Sequence, residues 1–201
     1  MSRQQHHIIY IPGLGDTKNT PAQRLAVWAW RAYGVYGHCH PVVWSRDEPF
    51  EAKLEGVLEE VDELLAAGHI VSLIGSSAGA SMALHAYQAR KKKIAGVVLI
   101  CGELGDAAGI SPTYFEVNPA FKVSIERLPQ TLKRLDPEDR QRIMSLHPLY
   151  DEVVSVADTQ LEGARMYTSI SVGHAVTIAL TLTMDFYIPF WFLRKWARQS
   201  Y

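Results

Sequence analysis

Cysteine is scarce. Only Cys39 and Cys101 occur in 201 residues, too few for a disulfide framework, and the expectation is two reduced thiols in the cytoplasm. An excess of either charge is also lacking. The chain has 20 Lys and Arg against 21 Asp and Glu, a formal net charge of −1. That balance argues against a chain built to neutralise nucleic-acid phosphates, so no nucleic-acid partner is expected. No internal repeat or low-complexity tract stands out. The first residues, Met1-Ser2-Arg3-Gln4-Gln5-His6-His7, are polar and lack the apolar stretch of a secretory signal. What is present is ordinary for a folded protein: 48% hydrophobic and 20% charged residues. This composition excludes bulk disorder. One domain over residues 1–201 is expected, burying roughly 70% of the surface exposed by the unfolded chain.

Short apolar runs alternate with amphipathic stretches. Ile8-Ile9-Tyr10-Ile11 reads as a strand, ended by the glycine-rich loop Pro12-Gly13-Leu14-Gly15-Asp16. Residues 21–33 read as a helix with Leu25, Trp28 and Ala29 or Ala32 on its apolar face. His40-Pro41-Val42-Val43-Trp44 is a second strand candidate, weakened by Pro41. Leu54, Val57, Leu58, Val61, Leu64 and Leu65 follow the i, i+3, i+4, i+7 spacing of an amphipathic helix, closed by Gly68. Ile70-Val71-Ser72-Leu73-Ile74 is a strand. Residues 80–90 form an alanine-rich helix running into Lys91-Lys92-Lys93, and Val97-Val98-Leu99-Ile100 is a fourth strand. Residues 102–143 are less regular and carry Pro112, Pro119, Pro129 and Pro137. Ile143-Met144-Ser145-Leu146 and residues 164–170 are candidates for a fifth and a sixth strand. Alternating strands and helices, with strands apolar throughout, predict an α/β fold. Its form is a three-layer α/β/α sandwich around a mostly parallel sheet of about six strands.

Residues 175–193 are nearly all apolar and long enough to span a bilayer by count. Asp185 and Pro189 interrupt the run, and both are unfavourable at a bilayer centre. The expectation is a last helix packed on the sheet rather than a transmembrane span. A weaker expectation is contact with a membrane surface through Phe190, Trp191, Phe192 and Trp196 beside Arg194 and Lys195.

Gly75-Ser76-Ser77-Ala78-Gly79 matches G-x-S-x-G where a strand ends and a helix of small residues begins. A sharp strand–turn–helix junction would lift the Ser77 hydroxyl above the sheet, and the flanking glycines would let the backbone pack closely. The helix start behind it offers N–H groups to a developing negative charge. The plain alternative is an ordinary small-residue turn.

On these residues the chain resembles the α/β-hydrolase superfamily over nearly its whole length, in the manner of small single-domain serine hydrolases of the esterase and lipase kind. The resemblance implies a Ser, then Asp or Glu, then His order. After Ser77 come His85, His147 and His174. His174, in Ser171-Val172-Gly173-His174, matches the family's Gly-His position. His85 reads as a helix-surface residue, and His147 precedes the best acid. Asp151, in Asp151-Glu152-Val153-Val154-Ser155, resembles the family's Asp-x-x-Val-Pro loop, with Ser155 in place of the proline. Glu103, Asp106, Glu152 and Asp158 stay open as alternatives. By the same resemblance the oxyanion hole takes N–H groups from Leu14 and Ala78. Pro12 stands where many members have histidine. Residues 102–143 sit where the family often inserts a lid, and Tyr114, Phe115, Phe121, Ile125 and Leu128 would either shape an acyl pocket or only cover the sheet.

The resemblance therefore implies a serine hydrolase of small-molecule carboxylic esters or thioesters, working through Ser77, Asp151 and His174 and needing no cofactor. Cleavage of another acyl bond, such as a peptide or amide, and a non-catalytic binding role are the rival readings. His38-Cys39-His40 has no further ligand at zinc-like spacing, so no metal is expected.

Overall fold

The computed structural model describes residues 4–15, 20–45, 48–105 and 107–199, without the side chain of Ala108. Among the described residues six strands form one sheet: β1 (His6–Ile11), β2 (Tyr36–Cys39), β3 (Ile70–Ser76), β4 (Ile94–Ile100), β5 (Ile143–His147) and β6 (Arg165–Thr168). Their order is β2-β1-β3-β4-β5-β6, and every pair is parallel. Helices α1 (Thr20–Ala29), α2 (Phe50–Ala66), α3 (Ala78–Arg90), α4 (Pro112–Val117), α5 (Pro119–Lys133), α6 (Pro137–Gln141), α7 (His174–Thr183) and α8 (Tyr187–Ala197) join or flank the strands.

The alternation of a strand divides the core in two. Ile8, Tyr10, Ile74, Val98 and Ile100 face one side, with Val27, Trp30, Phe190 and Leu193 packed over them. Ile9, Ile11, Leu73, Val97 and Leu99 face the other, against Val57, Val61, Tyr87, Phe121 and Ile125. Both faces of the central strands are buried, so their sequences read as continuous apolar runs instead of alternating ones. Each such fully buried side chain contributes about 1.5–3 kcal/mol by leaving water.

The chain leaves β1 for β2 on one side and re-enters on the other side at β3. Adjacent strands that lead in opposite directions open a crevice at their carboxyl ends, where ligands bind in open α/β sheets. The loops after β1 and β3 meet at that point.

Several elements depart from the sequence expectation. The second strand is Tyr36–Cys39, not residues 40–44. His40 still donates its N–H to Tyr10 O (2.8 Å), but Pro41 has no N–H with which to extend the ladder. The first helix ends at Ala29 and tightens into a 3-10 turn, Trp30–Tyr33. It buries Val27 and Trp30 and leaves Leu25 67% and Trp28 54% exposed. Trp30 wins the inner position because its indole N–H reaches Leu182 O (3.0 Å). Residues 102–143 are largely helical. Pro112, Pro119 and Pro137 each open a helix, where a missing N–H leaves nothing unsatisfied.

The long apolar stretch is two helices. Met184 and Asp185 both donate to Leu180 O, and α7 and α8 meet at a 60° bend. Pro189 falls in the first turn of α8, where it is tolerated. Among the described residues no single helix is long and apolar enough to cross a membrane, although the bent pair would pass on length and composition. Phe190, Phe192 and Trp196 are buried in the core, whereas Trp191 is 69% exposed.

Candidate active site

Ser77 stands between β3 and α3 with φ 52° and ψ −125°, a positive φ that a serine adopts at a cost. Three glycines make the position available. A Cβ on Gly75 would lie 2.4 Å from Gly79 O, one on Gly79 would lie 2.1 Å from Ile11 O, and one on Gly13 would lie 2.7 Å from Ser77 Cβ. The strand end, the helix start and the β1 loop therefore touch through bare backbone. The Ser77 N–H donates to Ile100 O (2.9 Å), which ties the turn to β4. The Ser77 hydroxyl has no hydrogen-bond partner among the described residues.

Ala78 is the first residue of α3, so helix geometry leaves its N–H without an intrahelical acceptor. Leu14, on the loop after β1, lines the same cavity as Ser77. That cavity holds about 100 Å³ and is completed by Glu103, Gly109, Ile110, Ser111, Tyr114, Phe121, Val153 and Val154.

Asp151 and His174 come together across the ends of β5 and β6. The sheet is prolonged there by a parallel bridge between Tyr150 and Val172, and by the Gly173 N–H donating to Tyr150 O (2.9 Å). The Asp151 carboxylate lies 2.9 and 3.1 Å from His174 Nδ1. Asp151 Oδ1 also accepts the N–H groups of Val153 (2.8 Å) and Val154 (2.9 Å). Burial alone would raise the Asp151 pKa; these two N–H groups and the His174 ring outweigh it and hold the carboxyl below its usual range. With its Nδ1 on the carboxylate, the ring leaves Nε2 as the free nitrogen.

Glu152 plays a different part. Its carboxylate accepts the backbone N–H of His174 at 3.1 and 3.2 Å. It caps the start of α7, where a negative charge is favoured, and so fixes the residue that carries the imidazole. Glu103 lines the cavity and accepts the Gly105 N–H (2.9 Å). Asp158 packs against Gly105, and its carbonyl accepts the Leu104 N–H. Neither bonds His174. Asp106 lies outside the described residues.

The other two histidines are structural. His147 bonds Pro148 O (3.0 Å) and Thr168 Oγ1 (3.3 Å). His85 is buried, not on the helix surface. Its ring nitrogens bond Ser124 O (2.9 Å) and Thr131 Oγ1 (2.8 Å), because α5 covers the face of α3 that carries it.

Cys101, read from the sequence only as a reduced thiol, lies beside the site. It follows β4 as Ser77 follows β3 and also has a positive φ, 50°. Ligand atoms of Cys101, Asp151 and His174 lie within 4.8 Å of one another, close enough to hold a metal ion by distance. The chemistry is poor for one. Burial and Asp151 push the Cys101 thiol up, whereas a metal takes a thiolate, and Asp151 and His174 already bind each other. The position was hidden because only the β3–β4 register, with Ser76 opposite Ile100, brings residues 77 and 101 level.

No protein-family model matches the chain, and no curated protein matches it in sequence. Solved structures do match. One of LipS and LipT, two metagenome-derived lipolytic enzymes, has a TM-score of 0.67 at 13% identity, over 96% of this chain and 94% of that one. Est1E from Butyrivibrio proteoclasticus has 0.62 at 15% identity, over 94% and 89%. MGS-MChE2, an alpha/beta hydrolase enzyme from a sediment metagenome of the Mar Chica lagoon, Morocco, has 0.62 at 17% identity, over 96% and 92%. With six parallel strands, helices on both faces and end-to-end coverage by such structures, the chain has the α/β-hydrolase fold.

Proposed function

We propose that the protein is a serine hydrolase of small carboxylic esters or thioesters, with Ser77 as nucleophile, His174 as base and Asp151 as the group that orients the base. The observation that carries this reading is the Asp151–His174 pair, 2.9 Å apart at the strand ends, whose loop sends Val153 and Val154 into the wall of the cavity that also holds Ser77, a serine at positive φ on a helix start. A hydroxyl needs an adjacent base to attack. Asp151 holds Nδ1–H and stabilises the imidazolium, which leaves Nε2 to take the Ser77 proton. The fold likeness to lipolytic enzymes and esterases supports the same chemistry.

Ser77 Oγ bonds to the ester carbonyl carbon as its proton passes to His174 Nε2. The carbonyl oxygen becomes an anion, received by the N–H groups of Leu14 and Ala78. The C–O bond to the alcohol breaks, and the alcohol leaves with the proton from Nε2. Water then gives a proton to Nε2, adds to the acyl-enzyme and releases the acid and free Ser77. Residues 102–143 act as a short cover within a single domain, with Tyr114 and Phe121 in the cavity wall. The free thiols Cys39 and Cys101 suit a cytoplasmic setting.

The test is hydrolysis of p-nitrophenyl acetate, p-nitrophenyl butyrate and a short acyl-thioester by the wild type and by Ser77→Ala. Turnover that falls about 10³-fold or more in the variant is expected. A wild type that folds and turns over none of the three would refute the proposal.

A further inference from the structure

Glu103 is a half-buried carboxylate in the wall of the cavity that holds Ser77 and Leu14. One oxygen accepts the Gly105 N–H (2.9 Å). The other has no hydrogen-bond partner among the described residues. The rest of the lining is apolar or hydroxyl-bearing, with no cation among its residues. The charges that act on Glu103 are two more carboxylates, Asp158 and Asp151. Burial first, and then these two neighbours, push its carboxyl above the usual range despite the Gly105 bond. Asp151 cannot turn to it, being occupied by His174, Val153 and Val154.

A carboxylate drawn partly out of water is costly unless an opposite charge or further donors reach it. A substrate with an ammonium group supplies both. A plain alkyl group leaves the carboxylate as it was, and a substrate carboxylate adds a fourth negative charge to three.

We infer that Glu103 is a specificity-determining residue of this pocket and that the preferred substrate is an ester of an acid bearing an ammonium group, held against Glu103 while its carbonyl lies at Ser77. This rests on the ester-hydrolase reading of Ser77. Among the described residues that line the cavity, Glu103 carries the one charge.

The experiment compares three methyl esters at about pH 6.5, where a primary amine is protonated. They are L-alanine methyl ester, methyl isobutyrate and monomethyl succinate, assayed with the wild type, Glu103→Gln and Glu103→Lys. Wild-type kcat/KM is expected to fall in that order, by about tenfold or more between the first two. Glu103→Gln should cut the ratio of the first to the second by about tenfold or more, chiefly by raising KM for the ammonium ester. Glu103→Lys should favour monomethyl succinate, a gain that a merely structural residue would not yield. Equal wild-type kcat/KM for the first two esters, or a ratio between them that Glu103→Gln leaves unchanged, overturns the assignment of Glu103 and leaves the hydrolase reading intact. So does turnover of p-nitrophenyl acetate without turnover of the alanine ester. Turnover of none of these esters overturns the hydrolase reading, and this inference with it.

Discussion

The two adjacent carboxylates Asp151 and Glu152 do separate work at the residue scale. Asp151 meets the ring of His174, and Glu152 meets its backbone N–H. Changing each should therefore have a different consequence. Asp151→Asn keeps the shape but offers the ring an amide in place of a charge, so kcat should fall by about 10³–10⁴-fold with the fold intact. Glu152→Gln removes a charge from a helix start, an effect of about 0.3–1 kcal/mol on stability, and should leave most of the activity. Steady-state kinetics and thermal melting of the two variants separate the roles, and equal losses of kcat would contradict them. Asp151 was legible in sequence only through its resemblance to an Asp-x-x-Val-Pro loop, since spacing to His174 does not separate two adjacent residues. The role of Glu152 was not, because it depends on the Tyr150–Val172 bridge, a tertiary contact.

A strand end, a helix start and a loop meet through glycines at the element scale, and the tightest contact is Gly79 against the carbonyl of Ile11. Gly79→Ala should cost about 1–3 kcal/mol or more, since backbone, not a mobile side chain, must yield. Denaturant unfolding measures this, and an unchanged midpoint would contradict the geometry. The G-x-S-x-G spacing made the junction readable, as continuous apolar runs did the strands β1, β3 and β4. Strand β2 was misplaced because Tyr36-Gly37-His38-Cys39 has no apolar run to mark it. It is a strand because β1 has a free edge to pair. The first helix was found with the wrong face inward, because the fold of its last turn into a 3-10 helix decides which tryptophan reaches the sheet. Four prolines made residues 102–143 look irregular, although three of them start helices.

Over the whole molecule, the end of the sheet opposite Ser77 gathers histidines. His6 bonds Ser72 Oγ (2.9 Å). His7 bonds His38 (2.8 Å) and stacks on His69 at 4.3 Å. Burial first, then Arg194 and His7, lower the His6 pKa from 6.5 to about 4. Burial, then His69 and His38, do the same for His7, also to about 4. The unfolded chain therefore binds more protons than the folded one between these values. The stabilisation is complete above about pH 6.5 and is lost as pH falls through about 4. Asp151, lowered from 3.8, adds its own loss only below that range. The melting temperature should drop between pH 7 and pH 4.5, and less so in His6→Gln/His7→Phe; an equal drop in the variant would contradict this assignment. The layered parallel architecture was readable from the order of runs alone. The histidine cluster was not, because it joins β1, β2 and the loop before β3, far apart in sequence.

The central claim is that Ser77 is an activated nucleophile. It is tested most directly by treating the folded protein with a fluorophosphonate probe and mapping the adduct by peptide mass spectrometry. A single adduct on Ser77, absent in Ser77→Ala and formed far more slowly in His174→Ala, is the expected result. No adduct on the folded wild type, or an adduct on another residue such as Ser76, would contradict it.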